Sequence, residues 1–315
     1  MAELCGQTLC PMKEPKINNI LLLNKPEKIT SFRAGNRVRG FLSRVTGSKV
    51  KVGHTGTLDP MATGCLPVLL NGATRFSQYL PGEKAYRATI KLGITTDTLD
   101  RTGNILQTRP VNCSPADVED ALKAFRGEIE QLPPMFSAVS VDGVRLYELA
   151  RQGKTVERKS RKVTICALEL LDARGDEYTI DVTCSAGTYI RTLAADLGEM
   201  LGCGACLTAL CRTSANGFSL ADCITQEELE DIEPDKIFEV RPFFVPIGDA
   251  LKEYPALEVS QPQASRFSNG GELDRKRCNP IPDGLCRVFS YDRKFLGIAR
   301  VEGDNIRPNT VISRQ

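Results

Sequence analysis

Histidine is almost missing from this 315-residue sequence; His54 is the only one. A Ser-His-Asp or Cys-His catalytic system would have to take that residue as its base. A dinuclear metal site would need a cluster of histidines and carboxylates that the chain does not offer. There is no GxxxxGK[ST] segment to cradle a nucleotide and no GxGxxG opening a helix. No apolar run approaches the roughly 20 residues of a membrane-spanning helix. The opening stretch MAELCGQTLCPMKEPK lacks the apolar centre of a signal peptide, so a cytoplasmic location is expected. Net charge is small as well, +2. These absences leave chemistry run by a carboxylate with Tyr, Arg and Lys around it.

Cysteine, by contrast, is abundant, at 12 residues. In a long chain without an export signal these read as small, buried, reduced hydrophobes. Cys203-Gly204-Ala205-Cys206 is a single CxxC, with Cys211 beyond it, whereas structural zinc usually takes two such pairs. No metal is expected. The small net charge hides segregation: residues 1–51 carry ten Lys/Arg against three Asp/Glu, and 151–162 carry six against one. Residues 227–239 reverse this, with seven acids and one lysine. Each basic run alone is compatible with a solvated face. Together they favour an anionic partner.

Hydrophobic periodicity predicts an α+β chain. INNILLLNKP (17–26) reads as a buried strand stopped by Pro26. Thr30-Ser31 caps a helix with Phe32, Val38, Phe41, Leu42 and Val45 inward. KVGHTGTLDPMATG (51–64) reads as a loop, LPVLLNG (66–72) as a strand, and 76–80 as a short helix. KAYRATIKLGI (84–94) alternates as a strand before a turn at 100–103. Ser114-Pro115 opens a helix stopped by Gly127. A helix is expected over 144–152, then a hairpin turning at 174–176, then a helix capped by Thr188. Residues 225–239 read as a polar helix. Short strands follow at ALEVS, LCRVFSY, FLGIARVEG and 310–312, with a domain boundary near 250.

Two segments stand out chemically. In Gly53–Gly64, Asp59 is the only acid between Glu27 and Glu83. An isolated carboxylate in a Gly/Thr loop with arginine-rich flanks suits a nucleophile or base. On spacing alone, however, Asp-Pro reads first as the N-cap and first position of a short helix. In Cys184–Arg191, Arg191 falls in the first turn of a helix, where the dipole disfavours a cation unless a carboxylate answers it. A surface arginine is the plain alternative. Tyr86 and Tyr189 fit either base stacking or the core.

These residues carry a resemblance. GHTGTLDPMATGCLPVLLNGATRFSQYL resembles the signature of TruB-type pseudouridine synthases. INNILLLNKP, KAYRATIKLGITTDTLDRTG and CSAGTYIRTLAADLGEMLGCGA are similar to that family's other motifs. GEIEQLPPMFSAVSVDGVRLYELARQG resembles its T-loop-gripping insertion. The resemblance covers about 17–220 in the right order, and the tail looks like the small β-barrel RNA-binding domain called PUA. It implies a pseudouridine synthase fold, a mixed, largely antiparallel sheet flanked by helices, with a C-terminal PUA-like barrel. It divides the chain into a flexible arm (1–16), a catalytic domain (17–249, insertion about 131–162) and a PUA-like domain (250–315).

By position, the resemblance implies Asp59 as the essential aspartate, Arg191 as its partner and Tyr86 as the residue stacking on a flipped uracil. Tyr189 and Leu210 would line the pocket, His54 would contact RNA, and Lys25 would help build the site. The implied activity is isomerisation of uridine 55 in the tRNA T-loop, with the acceptor stem reached through the C-terminal domain. The reaction is redox-neutral, so no cofactor is implied; nor is DNA, a membrane or an oligomer. Lys28, Ser140, Val144, Ala186 and Cys211 depart from the family's usual residues. Three other readings stay open: a tRNA-folding chaperone, a synthase for other RNA, and a glycosidase using Asp97 and Asp100.

Overall fold

The structure, a computed structural model, describes residues 17–141, 143–233 and 243–312. The arm expected at 1–16 lies outside the described residues, as do 234–239 of the helix expected over 225–239, which ends at Asp231 where Ile232 turns extended. The run Ile20–Leu23 is apolar without alternation, and Asn19–Lys25 is accordingly a strand with neighbours on both sides. It pairs antiparallel with Thr63–Leu70. That strand carries Pro67, which has no N–H to give a sheet. The register accommodates it. On its other side the strand meets Ala205–Ala215 only at Thr63 and Gly64, and Val52–His54 only from Val68 to Leu70. Pro67 falls in the gap.

The whole sheet has ten strands. Across it lie Phe244–Pro246, Asn19–Lys25, Thr63–Leu70, Ala205–Ala215, Lys84–Leu92, Glu177–Cys184, Arg161–Arg174 and Gly127–Gln131. Every pairing in it is antiparallel except that of Thr63–Leu70 with Ala205–Ala215. Two differences from the sequence reading concern this sheet. Val52–His54 is a strand inside the segment expected as a loop. Gly127–Gln131 is the edge strand, not merely the stop of the preceding helix, which ends at Lys123.

Helices cover the sheet. Ser31–Val45 starts where Thr30 accepts a hydrogen bond from Arg33 N at 3.1 Å. Its buried stripe is Ser31, Ala34, Val38, Phe41 and Leu42, at helical spacing. Phe32 lies one residue, about 100°, off that stripe and is 72% exposed, contrary to its expected inward placement. Ile190–Met200 lays Leu193, Ala194 and Leu197 into the same core. Its N-cap is Tyr189; Thr188 does not cap it but donates its hydroxyl to Ser185 O at 2.9 Å. The helix expected from Val144 begins at Leu146, after a two-residue strand.

Residues 256–311 form a second, five-stranded sheet in the order Ala256–Val259, Gly284–Ser290, Phe295–Glu302, Asn305–Val311, Leu273–Asp274. It has its own core around Leu257, Phe267, Val288 and Ile306. The helix Gln261–Ser268 breaks a region where only short strands are expected; Ser260 and Gln263 form a capping box with Pro262 in the first turn. A further apolar cluster, including Ile20, Leu22, Phe76, Ile247 and Ile298, joins the two sheets. There the Phe76 and Phe295 rings meet edge to face at 5.2 Å. Tyr79 Oη and Thr310 Oγ1 add a 2.6 Å hydrogen bond.

Gly198 sets how closely the helix Ile190–Met200 approaches the sheet. A Cβ there would stand 2.2 Å from Ala205 N and 2.3 Å from Gly204 C, backbone atoms that cannot rotate aside. Gly198→Ala is expected to destabilise the protein by about 3 kcal/mol, the upper part of the range for overpacking. A urea titration checks it: the midpoint falls with the slope unchanged. An unchanged midpoint would mean that the helix tolerates a shift.

Candidate active site

The segment before Asp59 is fixed by a buried hydroxyl. Ser31 Oγ accepts from Leu58 N at 2.8 Å and donates to Leu58 O at 3.1 Å. On the other side, Pro60 O accepts from Lys28 N at 2.7 Å. Asp59 O accepts from Ala62 N, closing a turn and no helix, so the helix-cap reading of Asp-Pro does not hold. Its side chain is free to leave the turn, and it meets Arg191, 132 residues along the chain.

That pair is a two-point contact. Arg191 Nη2 donates to Asp59 Oδ1 at 3.1 Å, and Nε lies 2.9 Å from Oδ2. The rest of the guanidinium is occupied by Thr98 O (3.0 Å) and Phe136 O (2.7 Å), with Asp100 Oδ2 at 3.6 Å. Arg191 is therefore no surface residue; its side chain is 4% exposed, against 31% for Asp59. A cation at the start of a helix opposes the dipole, and two carboxylates answer it. Burial pushes the Asp59 carboxyl above its ordinary value, and nearby Asp100 adds to this; Arg191 and Lys25 pull the other way.

Asp59 and Arg191 open onto a cavity of about 240 Å³ together with Tyr86, Tyr189 and Leu210. The sheet register builds this wall, for Arg212 stands opposite Tyr86 and Leu210 opposite Ala88. Tyr189 is held by Gln131, which donates to its carbonyl at 3.3 Å and accepts from its N–H at 2.9 Å. Burial raises the Tyr86 phenol above its ordinary value, so it stays protonated. Two of the expected residues are not on this wall. Lys25 is fully buried, with Nζ donating to Pro26 O and Ile29 O at 2.7 Å each. Burial lowers its pKa to about 8, against the pull of Asp59. His54 sits on the strand Val52–His54, its Nδ1 buried without a partner.

Sequence reasoning missed Ser31, Gln131 and the position of Asp100. Asp100 accepts from Thr98 Oγ1 and Thr102 N at 2.9 Å each and faces Arg191, whereas Asp97 is exposed and bonded to Asn104. Neither lines the cavity, so the two do not form the paired carboxylates of a glycosidase. Arg212, fully buried, is missed too; it donates to Cys65 O at 2.7 Å and to Gly56 O at 3.2 Å. Its only advance signal was its place two residues after Leu210 in an apolar strand. Among the described residues no group of His, Cys, Asp and Glu gathers as a metal site would require.

Asp59, held by Arg191, thus faces an aromatic and an aliphatic wall in a cavity of a mixed sheet. The sequence matches the TruB family pseudouridylate synthase N-terminal domain over residues 43–190. The tRNA pseudouridylate synthase B C-terminal domain matches 191–252, and the Pseudouridine synthase II TruB C-terminal domain matches 255–312. The tRNA pseudouridine synthase B of Pseudomonas fluorescens Pf0-1 is 45% identical over 300 residues, 94% of this chain and 96% of that protein. That of Clostridium kluyveri is 41% identical over 285 residues, 90% and 95%. The chain belongs to the TruB family of pseudouridine synthases, and it is an isomerase. The fold is shared with the crystal structure of a Cbf5-Nop10-Gar1 complex, at a TM-score of 0.69 and 24% identity over 94% of this chain and 85% of that one. The C-terminal curled sheet corresponds to a PUA-like half-barrel.

The electrostatics give a test at His54. Burial, then the charge of Arg212, lower its pKa from the ordinary 6.5, so the ring is neutral at pH 7. Below 6.5 the unfolded chain binds the proton more readily than the fold does. Stability should therefore decline as pH falls from 6.5 to the lower folded-state value. As the only histidine, its imidazole resonance can be followed by NMR without assignment. A midpoint below 6.5 is expected; one above it would contradict the buried, cation-facing environment.

Proposed function

We propose that this chain converts uridine 55 in the T-loop of tRNA into pseudouridine, with Asp59 as the catalytic carboxylate. The observation that carries the reading is the Asp59–Arg191 pair at the wall of a cavity faced by Tyr86 and Leu210. Binding alone has no use for a carboxylate held above its ordinary pKa in such a place. The target base leaves the RNA stack at a cost of about a few kcal/mol and enters the cavity. Tyr86 stacks on it, Leu210 and Tyr189 enclose it, and Arg191 orients Asp59 toward the ribose. The bond from uracil N1 to the sugar C1′ breaks, the base turns, and C5 bonds to C1′; the C5 proton passes to solvent and N1 takes one up in return, so the change is a pure isomerisation. His54 contacts the RNA, and Lys25 supports the site by holding the turn ahead of the helix Ser31–Val45.

The insertion at about 131–162 would grip the T-arm, and a C-terminal unit beginning near 250 would reach the acceptor stem. The basic runs at 33–51 and 151–162 would hold phosphates, so that binding weakens with salt. The reading includes a monomer working in the cytoplasm; no helix among the described residues is long and apolar enough to cross a membrane.

The test is tritium release from a tRNA transcript carrying uridine labelled at C5. Wild type should release tritium, and replacing uridine 55 should abolish release. Asp59→Asn should lose about 10²–10⁴-fold or more in rate while binding tRNA within a few-fold of wild type. Binding without release by wild type would leave a tRNA-folding chaperone instead.

A further inference from the structure

Two basic side chains face the cavity with no acid to answer them. Lys84 and Arg161 both line it, and neither makes an ion pair among the described residues. Arg161 Cζ stands over the Tyr189 ring, 4.6 Å from its centroid, and its Nε is buried without a hydrogen-bond partner. Its Nη1 lies 3.5 Å from where a Cβ on Gly187 would stand. Lys84 Nζ lies 2.8 Å from where a Cβ on Gly56 would stand. Gly56 thus leaves the room that the Lys84 ammonium occupies, while a Cβ at Gly187 would only touch Arg161. Beneath them, Arg212 is fully buried and donates to carbonyls, again without a carboxylate. The acids nearby, Asp59 and Asp100, are both drawn to Arg191.

Half-buried like charges that lack a counter-charge are costly, and a site that keeps them gains when a ligand supplies the negative charge. A flipped nucleotide brings that charge. Its base passes into the Tyr86 and Leu210 wall, while its flanking phosphodiesters remain near the sugar. We propose that Lys84 and Arg161 form the seat for a phosphodiester flanking the flipped nucleotide, a reading that rests on the base-flipping function above. Arg161 offers a planar fork already oriented by the ring under it, so little freedom is lost on binding. Seating the phosphate also fixes Tyr189, tying backbone recognition to closure around the base. Burial, with the charge of Arg212 adding to it, holds the Lys84 ammonium below its ordinary pKa, consistent with a group short of negative neighbours.

The test uses a T-arm RNA hairpin whose phosphates on either side of the target uridine are replaced, one at a time, by neutral methylphosphonates. Kd is measured in the full chain bearing Asp59→Asn, so the RNA stays unmodified. One of the two replacements should weaken binding about 10- to 100-fold, the loss of one charged hydrogen-bonded contact. In Arg161→Met and Lys84→Met the unmodified RNA should bind correspondingly worse, and the same replacement should then add less than about twofold. Each lost cation should make the slope of log K against log[salt] shallower by about 0.7–0.9. Arg161→Lys should restore the slope but not the full affinity, which separates this role from simple misfolding. Unchanged Kd with both methylphosphonates, or effects that merely add between RNA and protein changes, would overturn the proposal. If wild type fails to convert uridine in the unmodified hairpin, the function reading fails first and this site falls with it.

Discussion

One guanidinium holds the site together. Arg191 reaches Asp59 in the loop before Thr63–Leu70, Asp100 and Thr98 O in the turn after Lys84–Leu92, and Phe136 O beyond the edge strand. Three segments distant in sequence converge on a side chain that is 4% exposed. Removing one partner of a deeply buried ion pair costs about 3–5 kcal/mol. The cost is smaller here because Asp59 is 31% exposed. Burial works against Asp59's charge, with Asp100 adding to it, and Arg191 works for it.

The sheet supplies the precision this arrangement needs. Tyr86 and Leu210 lie on strands paired along most of their length, so their separation is set by backbone register and not by loop conformation. Gln131 clamps both backbone groups of Tyr189, and the Ser31 hydroxyl clamps both backbone groups of Leu58. Each clamp ties a residue bordering the cavity, or one adjacent to it in the chain, to a regular element. Gly198 allows the helix that carries Arg191 to lie directly against the sheet.

Much of the fold was legible in the sequence because burial writes itself into periodicity. The runs at 20–23, 84–92 and 177–184 alternate or stay apolar as their strands require. The short strand Val52–His54 was not legible, since its three residues carry no pattern and its place depends on Leu70, Leu69 and Val68 across the ladder. Phe32 misled because hydrophobicity alone does not give the phase of a helix. At the site, the glycine-rich loop and its solitary acid drew attention to Asp59, but spacing alone favoured a helix cap, which the turn at Asp59–Ala62 replaces. The partnership of residues 59 and 191 is a fact of tertiary structure, and only the resemblance supplied it in advance. Asp100 looked like turn chemistry, which it also performs through Thr98 and Thr102. Lys25 and Arg212 were illegible as buried cations, because full burial of a charge is uncommon and depends on carbonyls that only the fold brings near.

The central claim is that Asp59 acts in its ionised form and that Arg191 keeps it ionised against burial. The direct measurement is the single-turnover rate of pseudouridine formation against pH, in wild type and in Arg191→Lys. The ordinary aspartate value is 3.8, and burial places Asp59 above it. The acid limb of wild type should therefore lie above 3.8, and in Arg191→Lys, where the two-point contact is lost, it should move to higher pH. An acid limb that stays in place when Arg191 is changed would show that a different group carries the ionisation, and would contradict the account.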